Sequence, residues 1–481
     1  MLKNFFKNNR VFSVFLLSWT LFFIIIRTLQ HYSFGTNACD LSIFDYGIYY
    51  TLKGKIMFEP FHGYWGSHFA IHFTPIIFFI VPFYLFLKAP LFLLYLQVLA
   101  IALSAIPLYL ITKHEFNNKF IASSVSIIYL LYRFVLNGLM YDFHVEMFFP
   151  LFFFSAYYFL IIKKNIRLFF VFFALSLFIK EDIAIYLFFF GLFLIFKGKK
   201  YRKIGLIVSL CSILYFIISV MVIIPYFRNS LGFGAAPVYT GLWDKFGTTP
   251  FQIIKNIVSS PTLIFKNIAW GKMIGNFSNL FLPLGLIPCF SSFALLIIPP
   301  VFVLITSNNP LMSGFALYYS ITIIPFLFLS FILGLKNFGE FFLKKSKTQF
   351  NRNFRIIVII LILVNLSNTK WNVLRPSNYY LIKYYKTMKK VINSIPANSS
   401  IASLSSIIPH IPKRRNMHML PEIGNADYIL IHMKVNRWPL NENQMNSLIK
   451  KLFKSNVYLC IYNGNNILLF KKRNLLTVLD K

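Results

Sequence analysis

Unbroken apolar runs recur along this chain, for example over residues 11–26, 204–215 and 356–364. A hydrocarbon core of about 30 Å is crossed by about 20 apolar helical residues. Only helices and closed barrels satisfy their backbone groups in lipid. A barrel alternates polar and apolar residues along each strand, and these runs do not alternate. The chain therefore reads as an all-α polytopic transmembrane bundle. Composition agrees: 57% of the 481 residues are hydrophobic and 13% are charged, where a soluble domain carries about a quarter charged.

The formal charge is +34. Much of this excess fits cytoplasmic loops facing anionic lipid. No zinc spacing, Walker loop or nucleic-acid motif accompanies it, so nucleic acid is not an expected partner. The first run follows Lys3, Lys7 and Arg10 and lacks a small-x-small cleavage site, so it reads as a retained helix with a cytoplasmic N-terminus. Lys113 and Lys119, then Lys163, Lys164 and Arg167, then Lys197 to Lys203, and finally residues 336–355 mark further inner loops. Counting crossings between these signals gives about eleven spans. They include helices near 273–289, 291–306, 316–335 and 355–369. Two short crossings over 168–196 meet at Lys180-Glu181-Asp182. Residues 73–87 are too short to cross and dip into or lie on the outer face. Residues 1–369 thus form the membrane module of a multi-pass cell-membrane protein, with outer loops 31–72 and 226–272. Residues 370–481 are less apolar and read as a small extracytoplasmic α+β domain, with a hairpin turn at Asn463-Gly464.

The chain has 14 acidic residues. Seven fall in three clusters: Asp40, Asp45 and Glu59; Asp142 and Glu146; Glu181 and Asp182. On this topology all three face the outer side, and they are expected to converge on one cavity. Converging carboxylates can act as a base, bind a divalent cation or hold a hydroxyl-bearing ligand. Against this, single loop acids are often solvated, cap helices or pair with neighbours such as Arg133 and Lys180. His62, His68, His72 and His144 follow the same distribution. His68 and His72 are four apart, as on one helical face. Metal ligation and hydrogen bonding to a polar substrate or phosphate both remain open for them, beside the reading of plain interfacial histidines. Tyr46, Tyr49, Tyr50, Tyr64 and Trp65 suit an interfacial belt or a sugar-stacking surface equally.

The stretch over 40–49, DLSIFDYGIY, followed by His68-Phe-x-x-His72-Phe-x-Pro75, resembles the polytopic family called domain of unknown function 2079. Gln97, Asp142-Phe-His144-x-Glu146, Lys180-Glu-Asp182 and Ser307-Asn-Asn-Pro310 extend the resemblance over nearly the whole chain. Tyr318-Tyr319 stands where a histidine-tyrosine pair is expected. That family is similar in layout to the glycosyltransferase C superfamily. The resemblance implies a polyprenyl-phosphate sugar donor, an unknown acceptor and transfer at the outer face of the cell envelope. It casts Asp45 as base, with Asp40 second. Asp142, His144 and Glu146 then orient the acceptor or hold a divalent cation such as Mg or Mn. Lys180 neutralises phosphate, Glu181 and Asp182 set its position, and His68 and His72 contact substrate. A transporter or flippase of a lipid-linked or polar solute is the alternative, and a non-catalytic envelope scaffold is the third reading.

Overall fold

The computed structural model describes residues 6, 8–61, 66–86, 89–232, 241–342, 347–369, 371–414 and 416–473. The chain divides into two compact units. The first comprises Met1–Phe22, Phe69–Phe79 and Leu96–Lys370, and the second Phe23–His68, Ile80–Tyr95 and Trp371–Lys481.

The first unit is helical. Arg10–Tyr32, Pro90–Phe116, Val145–Ile162, Lys199–Asn229 and Ile324–Phe341 are each long and apolar enough to cross a membrane, and the first two contribute to both units. Lys119–Leu131 and Arg133–Met140 form a sixth candidate span, bent by 47°. Tyr132 stands at the bend in extended backbone. Its hydroxyl donates to the Leu280 carbonyl at 2.5 Å, anchoring the break.

Ile166–Leu177, Ile183–Lys197, Ser292–Ile305 and Asn353–Asn368 are shorter apolar helices. The first two leave residues 178–182 between them, so Lys180-Glu181-Asp182 falls at a helix junction. Ile183–Lys197 packs on Lys199–Ile218 through Gly191 and Gly205. A Cβ at Gly205 would lie 2.6 Å from the Gly191 carbonyl oxygen, so this close approach requires glycine.

The expected helix over 273–289 is corrected. A helix covers Trp270–Phe281 and gives way to 3-10 turns at Leu282–Leu284 and Ile287–Phe290. Pro283 and Pro288 lack backbone donors, and Gly285 and Leu286 take left-handed φ values of 63° and 58°. The freed carbonyls of Pro283 and Phe290 accept from Asn365 and Asn337, each at 2.8 Å. Irregular backbone is tolerated at membrane depth only when protein groups satisfy it in this way. The helix expected over 316–335 starts later, at Ile324, after a 3-10 turn at Tyr319–Thr322. Among the described residues between 73 and 87 the helix is Ile77–Tyr84, too short to span.

The second unit has one apolar core. Phe34, Ala38, Ile43 and Tyr46 from the first loop share it with Ile401, Leu430, Ile431, Leu468 and Phe470 from the tail. Five strands form a mixed sheet: β1 (Ile401–Ser403), β2 (Met417–Met419), β3 (Tyr428–His432), β4 (Tyr458–Gly464) and β5 (Ile467–Lys472), in the order β2-β1-β3-β5-β4. β1 pairs in parallel with β2 and β3, while β5 is antiparallel to both β3 and β4. The helix Glu442–Phe453 opens with a capping box between Asn441 and Gln444. The hairpin turn lies two residues beyond its expected place. Gly464 still pairs with Ile467, and Asn465 and Asn466 take φ values of 52° and 63°. Two successive left-handed residues match the right-handed twist of the strands, and asparagine tolerates that conformation.

Candidate functional site

The first loop enters the second unit as a π turn at Ala38–Ser42 followed by the helix Ile43–Thr51. The Ala38 N–H donates to the Ser405 carbonyl at 2.9 Å, tying the loop to the tail. Asp40 is half-buried in the π turn. Asp45, in the first turn of the helix, is 3% exposed. Its Oδ2 lies 2.7 Å from Lys413 Nζ, and its Oδ1 accepts from the Tyr84 hydroxyl. The Lys413 ammonium also sits 5.5 Å from the ring centres of Tyr49 and Tyr84. A buried carboxylate must be compensated by paired charge and hydrogen bonds, and here the partners come from the tail and from residue 84. Glu59 accepts from the Phe61 N–H at 2.5 Å, and its Oε1 is 4.0 Å from Nδ1 of buried His68.

The first unit gathers the other acids. Glu146 Oε1 is 2.9 Å from Lys180 Nζ, and Asp182 Oδ2 is 3.9 Å from the same ammonium. Glu181 binds His72 Nδ1 at 2.7 Å and accepts from the Phe73 N–H at 2.9 Å. His68 and His72 therefore do not share a helical face. The 3-10 turn ends at Ala70, and residues 72–74 lead irregularly to Pro75, before which helical backbone is disfavoured. Each histidine meets a different glutamate, in a different unit.

One lysine facing three carboxylates decides their charges. Burial alone would pull the Lys180 pKa down, but Asp182, Glu146 and Glu181 outweigh it and hold it well above the ordinary ammonium range. Burial pushes Glu181 and Asp182 up to about 7 against the pull of Lys180. Lys180 stays charged and Glu146, in hydrogen-bond contact, balances it; the other two acids take up protons more readily.

Asp142 is buried at the bend before Val145–Phe148. The His144 N–H donates to Gln97 Oε1 at 2.9 Å, while Gln97 Nε2 donates to the Gly138 carbonyl at 3.1 Å. Tyr318 stacks on the His144 imidazole with ring centres 3.4 Å apart. The position where a histidine is expected thus carries an aromatic ring stacked on another histidine. His62, Tyr64 and Trp65 lie outside the described residues.

Sequence reasoning singled out Asp45 but missed its partners. Lys413 stands in the basic run Lys413-Arg414-Arg415, which gives a weak signal, whereas Tyr84 gives none. Among the described residues no three His, Cys, Asp or Glu side chains are grouped to hold a metal ion. The carboxylates of Glu146 and Glu181 are committed to Lys180 and His72. The residues present therefore do not fit the expected divalent cation. Cys39 and Cys460 are free thiols.

The second unit also holds a group of uncharged histidines. The rings of His31 and His410 stack at 4.3 Å, and His432 lies edge-on to Tyr384. Burial and the neighbouring His31 hold His410 well below the ordinary imidazole range; burial lowers His432 to about 4. Depressed pKa values mean that the neutral forms stabilise the fold. Their contribution is complete above the unfolded value of 6.5 and is lost as pH falls from there toward the folded values. On their own these histidines lower the midpoint of thermal unfolding between pH 7 and about pH 5, a drop that Glu181 and Asp182 oppose because they take up protons in the fold below about 7. His410→Phe, which keeps a ring but cannot be protonated, should shrink that drop; an unchanged pH profile would refute the assignment.

No curated protein matches this chain. The family DUF2079, described as a predicted membrane protein, matches residues 30–469. With five helices among the described residues long and apolar enough to cross a bilayer, and a match over nine-tenths of its length, the chain is a multi-pass membrane protein belonging to the DUF2079 family.

Proposed function

We propose that this protein transfers a sugar from a polyprenyl-phosphate donor to an acceptor at the outer membrane face, in the manner of the glycosyltransferase C superfamily. The observation that carries the reading is the Asp45–Lys413–Tyr84 group. A buried carboxylate with a cation beside it, in the loop that follows the candidate span Arg10–Tyr32, suits a lipid-linked phosphate whose head group lies at the interface. Asp45 takes the proton of the acceptor hydroxyl, the acceptor oxygen bonds to the anomeric carbon, and the bond from that carbon to phosphate breaks. The electron pair leaves with the polyprenyl phosphate, and Lys413 offers the positive charge that the departing oxygens require. Asp40 is the second candidate base. Within the membrane unit, Asp142, His144 and Glu146 position polar substrate groups, and Lys180, Glu181, Asp182 and His72 set local charge; His68 does so in the second unit. On this reading the N-terminus is cytoplasmic and the tail extracytoplasmic.

The buried Lys180 group supports a second reading, a transporter or flippase, because ionisable residues among membrane helices often line a path. The two are separated in proteoliposomes supplied with a polyprenyl-phosphate-linked sugar and a hydroxyl acceptor. Release of free polyprenyl phosphate is the expected result. Movement of intact lipid-linked sugar between leaflets, without cleavage, would replace the enzyme with the transporter.

A further inference from the structure

Residues 250–281 carry two amphipathic helices, Pro250–Ser259 and Trp270–Phe281, joined through the short helix Thr262–Asn267. A loop in water would hide its large apolar side chains, and these helices do not. In Pro250–Ser259, Ile253, Asn256 and Ile257 turn inward, and the Asn256 amide donates to the Phe246 carbonyl at 2.7 Å. Phe251, Ile254 and Val258 form a separate exposed stripe, with Phe251 at 73% and Val258 at 74% exposure. Gln252, Lys255 and Ser259 make a third, polar face. Trp270–Phe281 repeats the pattern. Met273, Asn276 and Leu280 face the protein, with the Asn276 amide donating to the Ser313 carbonyl at 2.7 Å. Trp270, Ile274 and Phe277 are exposed.

A helix with one face on protein, one exposed and apolar, and one exposed and polar fits a boundary where protein, hydrocarbon and water meet. Three features name the occupant. The segment's only charged residues are Lys255, Lys266 and Lys272, all exposed, with no acid among them. Trp270 stacks on Phe265 and donates its indole N–H to the Phe265 carbonyl at 3.0 Å, leaving an amphipathic ring at the rim, as interfacial tryptophans do. The segment also lies in sequence between two apolar helices, Lys199–Asn229 and Ser292–Ile305.

We infer that residues 250–281 form a collar in the plane of the membrane surface, with its apolar stripe in the acyl boundary and its three lysines on anionic lipid headgroups. The lysine stems run along the apolar face while their ammoniums reach phosphate, and each such cation adds to attraction for an anionic leaflet. The inference does not depend on the proposed reaction.

The test uses the full chain in nanodiscs of phosphatidylcholine, with or without phosphatidylglycerol. Cys39, Cys211, Cys289 and Cys460 are replaced by serine, and a fluorophore is placed at Val258→Cys, Ile274→Cys or Ser259→Cys. Lipids brominated on the acyl chain should quench the first two strongly and the third weakly. Lys255→Gln/Lys266→Gln/Lys272→Gln keeps the apolar stripe, so quenching should persist while retention of phosphatidylglycerol over phosphatidylcholine falls severalfold. Equal, weak quenching at all three positions would overturn the collar. Disulfide formation between two copies through Val258→Cys would assign the stripe to a dimer instead, and unchanged phosphatidylglycerol retention in the triple variant would remove the role of the lysines.

Discussion

Asp45→Asn should lower transfer from a lipid-linked sugar by about a hundredfold to ten-thousandfold, the usual contribution of a general base. Asparagine keeps the size and polarity of the side chain and removes its charge. The variant also leaves Lys413 buried beside a neutral amide, and breaking a buried pair costs on the order of 3–5 kcal/mol. Loss of activity alone would therefore not separate chemistry from folding. Lys413→Met is the control, and the double variant Asp45→Asn/Lys413→Met the decisive protein, because it removes both charges together. If Asp45 is the base, the double variant regains thermal stability and turns over more slowly than Lys413→Met, in which only the charge beside the departing phosphate is lost. Turnover in the double variant close to native, measured as free polyprenyl phosphate released per amount of inserted protein, would reduce the pair to a structural tie between loop and tail and move the base to Asp40.

The second large effect belongs to the membrane unit. Lys180→Met should destabilise it by about 3–5 kcal/mol, because Glu146 is then left buried without its cation. Glu146→Gln should cost less, since Lys180 retains Asp182 at 3.9 Å. Lys180→Met/Glu146→Gln should recover most of the loss: Glu181 and Asp182, already poised near 7, take up protons and need no counter-charge. Thermal unfolding of the purified variants in detergent checks this order. A double variant as unstable as Lys180→Met would show that the pair is not what holds the junction between Ile166–Leu177 and Ile183–Lys197.

The broken apolar stretch over 270–291 illustrates how far composition reaches. Hydropathy registers an apolar stretch there and cannot register that Pro283, Gly285 and Pro288 divide it into turns. Nor can it find Asn365 and Asn337, some 50–80 positions away, which make the turns affordable by capping the freed carbonyls. The tail hairpin shows the opposite case. Alternating apolar segments around an asparagine-rich turn are a local signal, and the error was only two residues of register.

Local chemistry determined the class of this protein, because the length of an apolar run and the loss of backbone partners in lipid leave few ways to fold. It placed the junction at Lys180-Glu181-Asp182, and strand-like segments marked an α+β tail, but neither showed that Phe34, Ala38, Ile43 and Tyr46 of the first loop complete the tail's core. Which charges meet was decided by tertiary structure alone. Asp45 finds Lys413 across more than three hundred positions, Glu181 finds His72, and Glu146 finds Lys180. Charge pairing depends on distance and burial in space, and a linear sequence carries neither until the helices and the tail have packed.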